Sequence, residues 1–521
     1  MPSTSLHQNN KNHLNNQKMA ISNSITKLYF LLLLHFGSQI ALSYSSMVKF
    51  LPGFEGPLPF HLETGYVGVD ESEDVQLFYY FVKSESNPED DPLVLWLTGG
   101  PGCTSFTALI YEIGPLNFEA VQYNGSLPTL VLNPNSWTKV NTSDCVRACV
   151  YLVYSWARKQ ADWIKFGSDS IWAASIIFLD LPVGTGFSYA RTSRASHSVD
   201  IQSCDQAVQF LRKWLIDHPE FISNPVYVGG DSYSGLTVPV IVQMMSNGNE
   251  AGIEPSINLK GYLLGNPITL PASESNYQIP FAHGMALISD ELYESLKRSC
   301  RGEYQYPNID PTNSLCLKDL QAFDQSISGI QNAHVLEKLC GFASPKPHEL
   351  FGKRLLNEKS RELSVPEPSS LSAFSCRIDG YLLSYYWISD DRVQEALHIR
   401  KGSIGNWIRC DHGLSYTPTI KDSFHYHVNL STKGYRSLIY SGDHDMIVPF
   451  LSTQAWIRSL NYSIVDDWHS WIVEGQVAGY TRTYSNGMTF VTVKGGGHTA
   501  PEYRPKECSV MFKRWIVQEP L

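Results

Sequence analysis

Basic residues are scarce in this sequence. Lys and Arg number 40 against 50 Asp and Glu, so the formal net charge is −10 at pH 7. Nucleic acids bind to basic surfaces, and this balance therefore argues against a nucleic-acid partner. Metal-ligand spacing is also lacking, because the close pair Cys145 and Cys149 has no second half of the kind that a zinc site requires. We expect neither a metal nor any other cofactor.

Hydrophobic runs long enough to span a membrane are missing too. Near the N-terminus, an apolar stretch covers only residues 28–36; it follows Lys27 and precedes small residues such as Ala41. This arrangement is typical of a secretory signal peptide rather than a membrane span. We predict a signal peptide within residues 1–43, with an extra polar extension before the alternative start Met19. The protein then enters the secretory pathway and resides in the vacuole or outside the cell, without stable membrane insertion.

The rest of the composition is that of a secreted globular enzyme. With 43% hydrophobic and 12% aromatic residues, the chain can build a large core. Ten cysteines are present, but their spacing alone does not fix how they pair. Four sequons for N-glycosylation begin at Asn124, Asn141, Asn429 and Asn461.

Three short islands rich in Gly and polar residues each follow a β-like run. They contain Ser232, Asp445 and His498, in the chain order by which α/β-hydrolases supply a catalytic triad. A serine hydroxyl is a poor nucleophile, so it needs a histidine as base and a carboxylate that orients this base. We predict Ser232 as nucleophile, His498 as base and Asp445 as the orienting carboxylate, with Asp443 as the competing carboxylate.

Each island also has a plainer interpretation. A glycine-flanked serine is often only a turn, and a glycine-rich segment is often only a loop. The nucleophile elbow is imperfect as well, because Ser234 stands where glycine is usual and Gly235 follows one place later.

A fourth Gly-rich island supports the catalytic interpretation of the other three. A strand-like run leads into the Gly-rich turn at residues 98–103. After an early strand, such a turn is where this fold places the second oxyanion-hole donor, the first being the amide after the nucleophile. The backbone N–H groups of Gly100 and Tyr233 are the predicted pair.

Together these islands resemble the serine carboxypeptidase family, from about residue 48 to the C-terminus. The matching segments, besides the nucleophile elbow, are residues 96–103, 112–115, 180–189, 441–449 and 496–505. Strand-like runs alternate with helical patterns, which indicates a mostly parallel central sheet flanked by helices. The resemblance implies an α/β-hydrolase fold with a helical cap insertion. It also implies the disulfides Cys103–Cys410, Cys300–Cys316 and Cys340–Cys376.

The predicted organisation is a core interrupted by a cap. Residues 44–274 form the first part of the core, 275–395 the cap, and 396–521 the second part of the core. The cap contains a polar linker at 344–372, which in the family is a surface loop that is sometimes cut; an uncut loop is the alternative. Residues 141–173 do not fit the family, and we interpret them as an unspliced intron or isoform feature rather than a functional element.

Two residues depart from the peptidase pattern of the family. This chain has Thr98 and Asp231 where the carboxypeptidases usually carry Asn and Glu. In those enzymes the Asn, that Glu and a second Glu, which matches Glu112, bind the C-terminal carboxylate of the peptide. Thr98 lacks the two donors of an amide, and Asp231 is one methylene shorter. With Gly99 and Arg409, these residues form the predicted substrate-binding set.

The chain thus resembles the plant acyltransferase branch of the family. Those enzymes move an acyl group, often aromatic and of hydroxycinnamoyl type, from a 1-O-β-glucose ester to an alcohol. The expected partners are therefore an acyl glucose and an alcohol acceptor. A serine carboxypeptidase that releases C-terminal amino acids is the alternative, and a catalytically silent binding protein is a third interpretation if residues 141–173 disrupt the core. Neither the acyl donor, nor the acceptor, nor the oligomeric state follows from the sequence.

Arg409 belongs to the predicted substrate-binding set because it directly precedes Cys410. A bridge from Cys410 to Cys103 would hold Arg409 close to the Gly-rich turn, where a planar guanidinium can bind a carboxylate or sugar hydroxyls. A surface pair between Arg409 and Asp411 is the alternative.

Overall fold

A computed structural model describes residues 46–70, 72–121, 123–139, 173–305, 308–339 and 377–521. Outside these ranges lie the predicted signal peptide, the linker 344–372, Asn141, Cys340, Cys376 and all but the last residue of the segment 141–173. Within them, no helix combines the length and the apolar character needed to cross a membrane.

The β-structure of the described residues consists of short strands and two long edge hairpins. Its strands are β1 Ser46–Phe50, β2 Pro57–Val69, β3 Val75–Val82, β4 Leu93–Leu97, β5 Leu116–Phe118, β6 Leu130–Leu132, β7 Ser175–Leu179, β8 Tyr189–Ala190, β9 Ser198–Val199, β10 Val226–Asp231, β11 Leu259–Gly265, β12 Tyr416–Thr417, β13 Arg436–Gly442, β14 Ile464–Val473, β15 Gln476–Tyr484 and β16 Met488–Val493.

Twelve of these strands form one sheet, in the order β1-β2-β3-β7-β4-β10-β11-β13-β16-β15-β14, with β8 added beside β3. The consecutive strands from β7 to β16 in this order pair in parallel. Antiparallel strands extend the sheet at both edges. The predicted mostly parallel central sheet is confirmed.

Helices follow most of the parallel strands, as crossover connections between parallel strands require. The helices of the described residues are α1 Asp200–Asp217, α2 Ser234–Glu250, α3 Pro271–Glu274, α4 Gln278–Gly284, α5 Asp290–Cys300, α6 Ser314–Ile327, α7 Arg377–Ile388, α8 Asp391–Ala396, α9 Phe424–Thr432, α10 Phe450–Ser459, α11 Ala500–Tyr503 and α12 Pro505–Ile516.

Strand β4 shows how the core is divided between the two faces of the sheet. All its side chains are buried, and they alternate between two hydrophobic clusters. Val94 and Trp96 belong to the cluster that includes Phe512 of α12. Leu95 belongs to the cluster that includes Trp214 of α1. Helices therefore cover both faces, which explains why the central strands read as continuous hydrophobic runs in the sequence.

The predicted cap has a small core of its own. Apolar side chains of α4, α5 and α6 pack together with Met446, the residue that follows Asp445. The predicted disulfide Cys300–Cys316 is confirmed and joins the end of α5 to α6. Helix α7, also within the predicted cap, packs instead against the main sheet, where Trp387 stacks on Phe106 with ring centroids 5.5 Å apart.

Candidate active site

The nucleophile elbow lies between β10 and α2. Ser232 has a φ of 52°, in the left-handed region that non-glycine residues rarely adopt. Its N–H donates to the carbonyl of Gly265 (2.9 Å), and its own carbonyl accepts from the N–H groups of Gly235 and Ile268, both at 3.0 Å. These bonds hold the strained turn, so the Ser232 hydroxyl projects from the end of the sheet.

The same geometry explains the imperfect elbow motif. Ser234 is buried and its hydroxyl donates to the carbonyl of Leu97 (3.0 Å), so a serine fits where glycine is usual. At Gly235, an added Cβ would lie 2.4 Å from the carbonyl oxygen of Ile268. In this elbow, position 235 therefore requires glycine, whereas position 234 accommodates a side chain.

Ser232, His498 and Asp445 meet at the carboxyl end of the parallel strands. The Nε2 atom of His498 lies 2.8 Å from the Ser232 hydroxyl oxygen, and its Nδ1 atom lies 2.8 Å from Oδ2 of Asp445. An Nδ1–H that donates to Asp445 leaves Nε2 free to accept the serine proton. The structure thus brings together the three residues that the sequence pattern predicts, although they lie up to 266 residues apart.

Electrostatics favour the protonated form of His498. Burial by itself lowers the pKa of the imidazole, but the charge and hydrogen bond of Asp445, together with the charge of Asp231, raise the pKa above its ordinary value. An imidazolium that forms when His498 takes the serine proton is therefore stabilised.

The competing carboxylate Asp443 has a different partner. Its Oδ1 accepts the backbone N–H of Gly495 (2.6 Å) and contacts Nδ1 of His444 (2.5 Å). Asp443 thus joins the two loops that carry Asp445 and His498, whereas Asp445 contacts the imidazole of His498.

The Gly-rich turn packs directly against the elbow. The N–H of Gly99 donates to Oδ1 of Asp231 (2.8 Å). An added Cβ at Gly99 would lie 2.7 Å from Cβ of Ser232 and 3.0 Å from the backbone N of Tyr233. Gly100 follows with a φ of 125°, which glycine readily adopts. The predicted oxyanion donors Gly100 and Tyr233 therefore belong to two backbone segments in contact beside Ser232.

A disulfide and a carboxylate hold these two segments. The predicted bridge Cys103–Cys410 is confirmed, with Cα atoms 3.8 Å apart, and it ties the Gly-rich turn to a distant loop. On the elbow side, the hydroxyl of Tyr233 donates to Asp200 (2.8 Å), the first residue of α1. Asp200 also accepts the N–H of Ile420 (2.7 Å), so its carboxylate links the elbow to a third segment.

Two buried carboxyl groups lie beside the triad. Glu112 is 2% exposed and Asp231 is 3% exposed. Burial raises the pKa of both, well above its usual range for Glu112, where the charges of Asp231 and Glu502 act in the same direction. Both carboxyl oxygens of Glu112 and the hydroxyl of Thr98 have no hydrogen-bond partner among the described residues. The raised pKa favours the protonated form of Glu112, which is able to donate a hydrogen bond.

Arg409 is buried among these acids. It is 8% exposed, and its guanidinium carbon lies 3.9 Å from the ring centroid of Tyr381. The hydroxyl of Tyr381 donates to both carboxyl oxygens of Glu502, at 2.8 and 2.7 Å. The charge of Arg409 opposes the rise in the pKa of Glu112 and of Glu502. Arg409 therefore faces the acidic cluster of the site.

Sequence reasoning missed three polar residues around the site: Asn266, Glu502 and Tyr381. Asn266 directly follows β11 and donates to Asp445 (2.8 Å). Its position could have been a signal, since the carboxyl ends of parallel strands converge on one edge of the sheet. Glu502 lies four residues after His498, within a segment that already carried the family resemblance. Tyr381 follows the linker 344–372 and had no distinguishing pattern.

The predicted glycosylation sites that the structure describes lie at the surface. The side chains of Asn124, Asn429 and Asn461 are exposed. Asn141 lies outside the described residues, as do Cys340 and Cys376.

Comparison with known proteins agrees with this geometry. A family model described as serine carboxypeptidase matches residues 52–143 and 169–518. The match leaves out residues 144–168, which lie inside the segment 141–173. Relatives in Arabidopsis thaliana include serine carboxypeptidase-like 2, 51% identical over 96% of this chain and 99% of the relative, and serine carboxypeptidase-like 19, 52% identical over 92% and 95%.

A solved structure supports the fold. The chain is similar to a prohormone-processing carboxypeptidase from Saccharomyces cerevisiae, with a TM-score of 0.64 and coverage of 91% of this chain and 94% of the other. At 19% identity this likeness concerns the fold alone. The family match over most of the sequence and the relatives at about half identity decide the family: the chain belongs to the serine carboxypeptidase family and has its α/β-hydrolase fold.

Proposed function

We propose that the protein is a serine-dependent acyltransferase that moves an acyl group from a 1-O-β-glucose ester to an alcohol. The acyl group is aromatic, of the hydroxycinnamoyl type, and passes through an acyl-enzyme on Ser232. One observation carries the proposal: two of the three groups that would bind a peptide's C-terminal carboxylate are altered, at Thr98 and Asp231, whereas the triad geometry is complete.

Asp231 is the altered group with the clearest role. Its Oδ1 accepts the N–H of Gly99 and so ties the Gly-rich turn to the elbow. Thr98 offers one hydroxyl donor where an asparagine would offer two amide donors. A peptide carboxylate would therefore lose hydrogen bonds here, and a buried charge without partners is strongly disfavoured. An uncharged sugar ester does not carry this cost.

Several groups remain that suit a sugar. The carboxyl of Glu112 and the hydroxyl of Thr98 have no partner among the described residues, so both can bond sugar hydroxyls. The raised pKa of Glu112 favours its protonated form, which is able to donate. The guanidinium of Arg409, held over the Tyr381 ring, supplies further planar donors.

The reaction proceeds in two displacements. His498 takes the proton of Ser232 while the serine oxygen attacks the ester carbonyl carbon, and the N–H groups of Gly100 and Tyr233 stabilise the oxyanion by about 3 kcal/mol each. The C–O bond to glucose then breaks, and His498 protonates the leaving sugar oxygen. An alcohol next gives its proton to His498 and attacks the acyl carbonyl. Collapse returns the proton to Ser232 and releases the new ester.

A serine carboxypeptidase is the second candidate, and Glu112 favours it. A neutral, buried carboxyl group can also donate to the terminal carboxylate of a peptide. The triad would act identically, with water instead of an alcohol as the second nucleophile.

We also propose that the protein works in the vacuole or outside the cell, after passage through the secretory pathway. The two disulfides in the described part of the chain suit an oxidising compartment. Exposed sequons at Asn124, Asn429 and Asn461 suit N-glycosylation. Removal of N-glycans with an endoglycosidase should increase the electrophoretic mobility of the protein from plant cells, and an unchanged mobility would contradict this route.

The decisive experiment offers both kinds of substrate to one preparation. Purified protein is incubated with 1-O-acyl glucoses of aromatic acids and a panel of alcohols, and separately with N-blocked dipeptides. We expect ester formation that requires both donor and alcohol, with release of one glucose per ester. The variant Ser232→Ala is the matched control and should form no ester. Faster release of C-terminal amino acids than of acyl-transfer product would favour the peptidase.

A further inference from the structure

Residues 332–335 of the predicted cap, here called the cap wedge, lie between the two loops that carry the catalytic Asp445 and His498. On the Asp445 side, the carbonyl of the first wedge residue accepts the N–H of Met446 (2.9 Å). The N–H of the last wedge residue donates to the carbonyl of His444 (3.0 Å). The wedge thus bonds the residues on either side of Asp445.

On the other side, the wedge bonds the catalytic histidine itself. The backbone N–H of His498 donates to the carbonyl of Ala333 (2.8 Å). An added Cβ at Gly497 would lie 2.5 Å from the same carbonyl oxygen, so the wedge is in close contact with this loop.

The loop before His498 needs such external support. It consists of Gly495, Gly496 and Gly497, and three successive glycines give a backbone little stiffness of its own. The imidazole of His498 must nevertheless stay within 2.8 Å of both Ser232 and Asp445. The bonds that the loop makes with its surroundings therefore decide how well the triad is aligned.

His334 supplies one of these bonds with its side chain. Its Nε2 lies 3.2 Å from the carbonyl oxygen of Gly495, and its Nδ1 accepts the N–H of Leu336 (3.3 Å). The second bond fixes the tautomer, so Nε2 carries the hydrogen and donates to Gly495. Burial lowers the pKa of His334, which favours this neutral form.

Two aromatic rings and several charged groups lie near His334. Its ring stacks on His444 (5.3 Å between centroids) and packs against Tyr503 (4.7 Å). The exposed Arg504 also donates to the Gly495 carbonyl, at 3.1 Å. The other charged groups nearby are Glu337, Asp443, which contacts His444, and Arg377, which lies over the Tyr503 ring.

We propose that His334 is a positioning residue for the triad: it holds the carbonyl of Gly495 and thereby fixes the glycine loop that presents His498 to Asp445. The cap then contributes to catalysis by aligning the triad. This role is independent of the acyl acceptor, because it concerns the activation of Ser232.

The test compares His334→Gln with His334→Asn. Glutamine can place an amide donor near the position of Nε2, whereas asparagine is one methylene too short to reach Gly495. The rate at which a fluorophosphonate labels Ser232 is measured across pH for both variants. We expect the Gln variant to label within about twofold of the parent rate and the Asn variant about tenfold more slowly.

The pH profile gives a readout that a purely structural role would not move. Asp445 raises the pKa of His498, so a looser contact raises it less. The acid limb of the labelling profile should therefore move to lower pH in the Asn variant and stay in place in the Gln variant. His283→Asn is the control; His283 is a cap histidine stacked on Tyr293 and bonded to Asp290, and its replacement should change nothing.

Equal labelling rates for the Gln and Asn variants, or an unmoved acid limb in a slow Asn variant, would overturn the proposal. If the Asn variant is not recovered folded, His334→Phe replaces it, since phenylalanine keeps a ring against His444 and Tyr503 but has no donor. Slow labelling with a shifted limb supports the proposal, and parent-like labelling of the Phe variant refutes it.

Discussion

The side-chain amide of Asn266 donates to the carboxylate of Asp445 over 2.8 Å, and its oxygen accepts the N–H of Gly442 (3.1 Å). Asn266 directly follows β11 and has a φ of 42°, a conformation that asparagine adopts more readily than most residues. Asp445 is fully buried and also accepts the N–H of Ile447 (2.7 Å). The residue after β11 thus orients the carboxylate that in turn contacts the imidazole of His498, the predicted base.

Replacement of Asn266 should therefore slow catalysis without weakening substrate binding. We expect Asn266→Ala to lower kcat about tenfold, with KM nearly unchanged, because a hydrogen bond to a charged group is lost. Steady-state kinetics and the fluorophosphonate labelling rate measure the effect. Asn486→Ala is the control, since its amide donates to Ser431 away from the triad (2.9 Å). Equal activities of the two variants would show that Asn266 has no positioning role.

The two aspartates near His498 should differ sharply. Asp445→Asn removes the charge that raises the pKa of His498, so we expect a loss of about 10⁴-fold in kcat and an acid limb displaced to lower pH. Asp443→Asn keeps an oxygen that accepts the N–H of Gly495, so we expect its kcat to fall by less than about tenfold. Ser232→Ala and His498→Ala should be more severe than Asp445→Asn. The reverse order of the two Asn variants would make Asp443 the catalytic carboxylate.

The sequence predicts those site residues that lie in a recognisable local motif. Ser232, Asp445 and His498 each follow a β-like run and lie beside glycines, and their chain order is itself informative. Asn266 and His334 are single polar residues whose partners lie 179 and 161 residues away. The position of Asn266 directly after β11 was a weak signal, whereas no local pattern marks His334. The triad could therefore be predicted from local pattern, but the long-range contacts that support it could not.

The buried ion pair between Glu63 and His218 is expected to stabilise the fold most at mildly acidic pH. His218 lies 3.0 Å from Glu63, which also accepts the hydroxyl of Tyr79 (2.7 Å). Burial alone would raise the pKa of Glu63, but the hydrogen bonds of His218 and His61 lower it to about 2. Burial alone would lower the pKa of His218, but the hydrogen bond and charge of Glu63 raise it above 6.5.

The pKa shifts of Glu63 and His218 define the pH range in which the pair stabilises the folded protein. The contribution of Glu63 is present above its unfolded pKa of 4.5 and is lost as the pH falls toward 2. The contribution of His218 is fully present below its unfolded pKa of 6.5 and is lost as the pH rises through the folded value. Both contributions therefore coincide between pH 4.5 and 6.5.

Glu63→Gln should lower the thermal midpoint more inside this window than outside it. We expect the free energy of unfolding to fall by about 3 kcal/mol near pH 5.5, because a buried ion pair is broken. The decrease should be smaller near pH 9. Thermal denaturation at both pH values measures the difference. Glu250→Gln is the control, since its pair with Lys433 is exposed and should add little at either pH. A loss that does not depend on pH would contradict the assigned charge states.

Two described residues that flank the segment 141–173, Trp137 and Ala174, lie next to each other. The N–H of Ala174 donates to the carbonyl of Trp137 over 3.1 Å, so a short connection can join them. We expect deletion of residues 141–173 to increase the secreted yield and the fluorophosphonate labelling. Deletion of residues 144–168 alone, the stretch outside the family match, is the milder comparison and should act in the same direction. Equal yield and equal labelling of the parent and both deletions would show that the segment is tolerated.

Arg409 should matter for the substrate and not for the nucleophile. Its guanidinium stacks over Tyr381 at 3.9 Å, and a lysine ammonium cannot reproduce the planar fork of donors. We expect Arg409→Lys to reduce acyl transfer about tenfold through a higher KM for donor or acceptor, while the labelling rate of Ser232 stays within about twofold of the parent. Both quantities are measured on one preparation. Arg392→Lys, at an exposed pair with Asp390, is the matched control and should alter neither. If Arg409→Lys leaves the transfer kinetics unchanged, Arg409 has no part in substrate binding; if it slows labelling as much as transfer, it supports the fold of the site instead.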